Sequence, residues 1–177
     1  MISMTKENIT ALLEEKHQEL FDWIQNQPED AFNKEPNNKW STGQHIVHLV
    51  DSIKKVNHAL SFPKFILKYK FGKSNRAVRP YEDIVKRYQE KLSKNQDRAR
   101  AFNSKVTTPN LEKYNQLLTT LEIQNKKLQH KTNKWKDKDL DNLILPHPLM
   151  GKMPIREIIM WTAYHTEHHT KLLKHYN

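Results

Sequence analysis

Tyr164-His165-Thr166-Glu167-His168-His169 lies in a run that continues from Pro154 to the C-terminus without another proline or glycine. Wound as a helix, this run gathers Ile155, Ile158, Thr162, Leu172 and Leu173 into one sector together with His165 and His169. Two residues four apart differ by only about 40° around a helix axis, so the two imidazoles stack on a core-facing stripe. Such a pair could chelate one metal ion, which would satisfy nitrogens that burial takes from water. It could also be two histidines hydrogen-bonded in a core or rimming a pocket.

The same helical period recurs upstream. Ile9, Leu12, Leu13, Leu20, Trp23 and Ile24 predict a first helix over about 5–27, ended by Pro28. A second helix starts at Ser41, an N-cap residue with Gln44 three positions on to complete a capping box. It carries Ile46, Leu49, Val50, Ile53, Val56 and Leu60, and Pro63 interrupts it. Lys64–Arg79 reads as a basic connector containing Gly72. A shorter helix follows from Pro80, with Ile84, Val85, Tyr88 and Leu92 on its face. Leu111, Tyr114, Leu118, Leu121 and Leu128 predict a long helix over about 109–131. Trp135–Lys152 reads as a loop with Pro146, Pro148 and Gly151, and no alternating strand pattern is visible. The expectation is an all-α single domain over 1–177: a four-helix bundle with one short extra helix. The long connection between the second and third long helices leaves room for that pair to run parallel.

Composition agrees. With three glycines in 177 residues and heavy Lys, Leu, Glu, Gln and Asn usage, the chain is suited to helix and long enough for a sizeable core. It has no cysteine, which excludes disulfides, thiolate zinc sites, iron–sulfur clusters and a cysteine nucleophile. Met1–Asn8 shows no continuous apolar segment of a signal peptide, and no run approaches the about 20 apolar residues that span a membrane. A cytoplasmic protein with no membrane partner is expected. The formal charge of +10, concentrated in 64–79 and 126–138, raises the question of an anionic partner. No helix-turn-helix, zinc finger or RNP-type strand accompanies it, so solvated helix faces are expected rather than a nucleic-acid site. The charge also suits steering of anionic small substrates.

The second helix brings two further histidines, His45 and His48. Wheel geometry puts His45 nearer the apolar stripe and His48 roughly 130° from its centre. By that criterion His45 is the inward residue.

Motif comparison points elsewhere. Trp40-Ser41-Thr42-Gly43-Gln44-His45-Ile46-Val47-His48-Leu49 resembles the W-S-x6-H-L signature of the DinB-like superfamily. His147-Pro148-Leu149-Met150-Gly151-Lys152 resembles the H-P-L-x-G-K segment that leads into that family's last helix, and His165–His169 resembles its H-x-x-H-H segment. The ordered set spans most of the chain. The resemblance implies up-down-down-up topology and a metal site made by one histidine of helix two with an H-x-x-x-H pair of the last helix. Carried over by position, the ligands are His48, His165 and His169. His45 falls where the family pattern usually has an apolar residue. His168 points toward a helix flank, and His147 could line a pocket mouth or be structural. His17, His58, His130 and His175 have no partner pattern and are expected at the surface. Asp51, one turn after His48, could orient a ligand or stay solvated.

Three neutral imidazoles leave a coordination position open, the arrangement of a catalytic rather than a structural zinc site. Zinc or nickel suits the set, and iron or copper also accepts imidazole. A zincin needs H-E-x-x-H, but Thr166 follows His165; a di-iron bundle needs two Glu-x-x-His motifs, and only Glu14-Glu15-Lys16-His17 fits. The resemblance implies a metal-dependent enzyme, foremost a transferase using a low-molecular-weight thiol supplied as a cosubstrate. The alternatives are a metal-dependent hydrolase and a non-catalytic metal-binding or interaction bundle. A small-molecule substrate is expected, a homodimer is compatible with the sequence, and no catalytic residue is singled out.

Overall fold

The computed structural model describes residues 4–97, 104 and 106–176. Four long helices carry the chain: α1 (Lys6–Gln25), α2 (Thr42–Ala59), α5 (Tyr114–Lys134) and α7 (Ile155–Tyr176). Between them lie α3 (Lys64–Phe71), α4 (Tyr81–Lys94), α6 (Asp137–Asn142) and a hairpin of β1 (Ile144–His147) with β2 (Gly151–Pro154). The fold is all-α apart from that hairpin.

Local chemistry sets the helix ends. Thr5 caps α1 by accepting the Asn8 amide, and Pro28 follows within three residues of its end. Ser41 and Gln44 form the expected capping box, with the Gln44 amide donating to Ser41 Oγ and Gln44 Oε1 accepting from the Ser41 amide. Two segments differ from the sequence reading. The connector from Lys64 is helical as far as Phe71, where α3 packs on β1 and buries Leu67; Gly72 then ends α3 at φ +92°, a conformation that favours glycine. The expected loop 135–152 contains α6, the whole of β1 and the first two residues of β2. Leu145 pairs with Met153 and His147 with Gly151, and burial of Leu143, Leu145 and Met153 in the apolar core holds the ribbon on the helices.

The helix directions follow from which residues meet. Met4 and Lys16 of the first segment meet Arg156 and Glu167, so α1 and α7 run alongside in the same sense. Lys6 meets Asn133 while Glu14 meets Gln129, so α5 opposes α1. His45 meets His169 and His48 meets His165, so α2 opposes α7 and therefore runs in the sense of α5, on which Asn57 packs at Gln124. One apolar core runs between the four, including Leu13, Leu20, Ile46, Ile53, Leu121, Leu128, Ile158 and Ile159.

The start of α7 is held by buried charge. Glu157 is fully buried and takes Arg76 and Arg79 of the connector, while Arg156 reaches Asp137, Asp141 and the Met4 carbonyl. These pairs tie the chain on both sides of α7 to its first turn. The helix that carries the histidine pair is thereby fixed at its N-terminal end. Among the described residues no helix is long and apolar enough to cross a membrane.

Candidate metal centre

α2 and α7 bring the site together. Gly43 lets the first turn of α2 lie against its neighbours: a Cβ there would come within 2.6 Å of Pro109 and 3.0 Å of Phe32. On the side facing α7 the contacts run antiparallel, His45 to His169 and His48 to His165.

His48, His165 and His169 converge. The Nε2 atoms of His48 and His169 each lie 3.1 Å from Nε2 of His165, and the three donor nitrogens all fall within 4.8 Å of one another. A ring nitrogen has one proton or one lone pair in the ring plane, so His165 Nε2 can meet its two nitrogen neighbours only through a divided, three-centred hydrogen bond. A cation shared by three lone pairs satisfies all of them at once. Nitrogens held at about 2.0–2.1 Å from a tetrahedral ion lie about 3.3–3.4 Å apart, close to the spacing here. His165 and His169 are buried, and His48 is half-buried, the member nearest solvent.

Burial sets the protonation state. It pushes His48 from 6.5 down to about 4, and drives His165 and His169 well below 6.5, with mutual repulsion among the histidines adding to desolvation. The imidazoles are therefore neutral at physiological pH and keep a lone pair for a metal. The donor set contains no carboxylate among the described residues and suits a borderline-soft divalent ion.

Aromatic rings wall the cluster. Trp161 stacks on His165 with centroids 4.5 Å apart, and Trp40 lies nearly parallel to His169 at 6.1 Å while touching His45 and His48. Trp40 was visible only as part of a motif. Its contacts with three histidines come from the loop before α2 folding back, which no periodicity reports. Tyr88 of α4 packs against Trp161 and His168.

The remaining histidines separate. His45 is buried with Nδ1 2.7 Å from Nδ1 of His169, outside the converging trio. His168 is half-buried on the flank of α7, as its wheel position implies. His147 is buried, and its Nδ1 accepts the amides of Leu149 and Met150, so it shapes the hairpin turn. His17 corrects the surface expectation: it is 2% exposed and its Nδ1 donates to the Leu13 carbonyl. Its place four residues after Leu13 and three before Leu20 was the signal for burial. His58, His130 and His175 are exposed, as is Asp51. Glu167 faces Lys16 and Lys171.

A family model described as the DinB superfamily matches residues 12–173. No curated protein and no solved structure matches the chain. With the match running through all four long helices and the histidine trio, this chain belongs to the DinB superfamily.

Proposed function

We propose that this protein is a metal-dependent transferase using a low-molecular-weight thiol, with His48, His165 and His169 as ligands of one divalent ion, zinc or nickel. The observation that carries the reading is a trio of neutral imidazoles whose converging donor set includes no carboxylate among the described residues. A divalent ion held there would supply a Lewis-acid centre that favours the thiolate of a thiol whose free pKa is about 8.5.

The chain's own residues supply the rest. His48, half-buried, marks the side open to a cosubstrate, while Trp40 and Trp161 keep water from the ligand rings. Lys55 lies close enough to His48 to disfavour its protonation, and offers a cation to an acidic thiol. The chain has no cysteine, so the sulfur comes from outside. In the transfer the thiol gives its proton to solvent. Its sulfur then bonds the electrophilic carbon, and the leaving group departs with the electrons of the broken bond. A water-activating route calls for a general base, and no carboxylate joins the cluster among the described residues.

The test is conjugation of a panel of small thiols to a chromogenic electrophile by tag-free metal-loaded protein. Turnover that needs both metal and thiol supports the reading. Ester, amide or phosphate cleavage without thiol would replace it with hydrolysis, and no turnover in either assay would favour a binding protein.

A further inference from the structure

We infer that His45 is a positioning residue of the metal centre: its Nδ1 accepts the Nδ1 proton of His169 and holds that ring with Nε2 turned toward His48 and His165. The inference rests on the metal-binding reading above and extends it beyond the three ligands.

The two Nδ1 atoms are 2.7 Å apart, and both rings are buried, at 3% and 5% exposure. Two nitrogens this close share one proton, since two protons or two lone pairs would repel. The opposite edge of His169 decides who owns it. His169 Nε2 faces His165 Nε2 at 3.1 Å, inside the trio. A neutral imidazole that offers a lone pair from Nε2 carries its proton on Nδ1. His169 is therefore the donor, His45 accepts, and the His45 proton resides on Nε2.

This assignment also accounts for having two histidines on α2. Residues three apart fall about 60° short of a full turn, so His45 and His48 point to different parts of α7. His48 meets His165, and His45 meets His169 one turn further along. With its Nδ1 engaged by His169, His45 acts on the centre through that ring. Trp40 restricts the pair, with its ring edge-on to His45 at 5.3 Å and nearly parallel to His169. His165 is held differently: its Nδ1 has no hydrogen-bond partner among the described residues, and Trp161 stacking fixes its plane. Metal-binding histidines normally donate their second N–H to a carboxylate, a carbonyl or water. Here another imidazole accepts it.

The experiment measures zinc affinity of tag-free protein by competition with a chromophoric chelator, for wild type, His45→Asn and His45→Phe. Asparagine keeps an acceptor near the Nδ1 position, while phenylalanine keeps the ring volume without one. His45→Phe should weaken zinc binding about 10–100-fold, and His45→Asn should stay within about threefold of wild type. Equal affinity in His45→Phe would overturn the assignment, as would His45→Asn weakened as much as His45→Phe. Nitrogen-15 NMR of the zinc-loaded wild type gives a readout independent of variant folding. It should show His169 protonated at Nδ1 and His45 protonated at Nε2; a proton on His45 Nδ1 would contradict the proposal. A wild type without zinc affinity would overturn the metal reading too, whereas a tight wild type matched by His45→Phe would overturn only the role of His45.

Discussion

Trp161 lies face to face with His165, ring centroids 4.5 Å apart and planes inclined by 21°. Both side chains belong to α7, one turn apart, so the helix itself sets their overlap. His147 packs edge-on against the indole at 4.2 Å, and Tyr88 approaches at 5.8 Å. Stacking of this kind fixes a ring plane that, among the described residues, no hydrogen bond at Nδ1 fixes.

Removing the indole should cost both stability and metal affinity. Trp161→Ala should destabilise the metal-free protein by about 3–5 kcal/mol, measured by urea unfolding. Trp161→Phe should recover most of that loss. Equal stability of Trp161→Ala and wild type would remove the ring from any structural role at the site.

Glu157 should be among the least replaceable surface-connected charges. It is fully buried and shared by Arg76 and Arg79. Glu157→Gln leaves both guanidinium groups without a counter-charge, though each keeps partial access to water. A loss of about 2–3 kcal/mol is expected by denaturant titration. The paired variant Arg76→Gln should couple to it in a double-mutant cycle, and additivity of the two losses would refute the shared ion pair.

Acid should destabilise the metal-free protein before its carboxylates titrate. Burial lowers His17 and His147 from 6.5 to about 4 and His45 to about 3. Between those values the unfolded chain takes up protons that the native state refuses, so stability is full above about pH 6.5 and falls toward pH 4. His17→Leu should flatten part of that slope without touching the cluster. A stability constant from pH 7 to pH 5 would contradict these burials.

Chelation should leave a folded, helical protein with a lower melting temperature. The core of the four long helices does not depend on the histidines, and an ion that binds only the native state stabilises it by mass action. Circular dichroism showing an unfolded chain after chelation would make the site primarily structural.

Much of the fold was legible because the long helices carry unbroken stripes and clear end signals. The stripe Leu13, Leu20 and Ile24 of α1 and the Ser41–Gln44 box of α2 are local features, and both stand as read. The short elements were not legible. α3 has lysines at Lys64, Lys68 and Lys70 around a single fully buried residue, Leu67, and its burial depends on the distant hairpin. In β1, Ile144 and Leu145 are both buried and Pro146 follows, so no alternation signals a strand. The choice between His45 and His48 lay beyond a single wheel, because α2 packs on both α5 and α7 and buries more than one stripe. His45 is the more buried, as the wheel implies, yet His48 reaches the converging nitrogens. Motif position and wheel position answered different questions.

Metal content of tag-free protein tests the central claim most directly. Elemental analysis should find about one divalent ion per chain in the wild type, held by three neutral imidazoles as in an open zinc site. Occupancy should fall sharply in His48→Ala, His165→Ala and His169→Ala alike. Full occupancy in His48→Ala, or a wild type that takes up no divalent ion when supplied with zinc or nickel, would contradict the account.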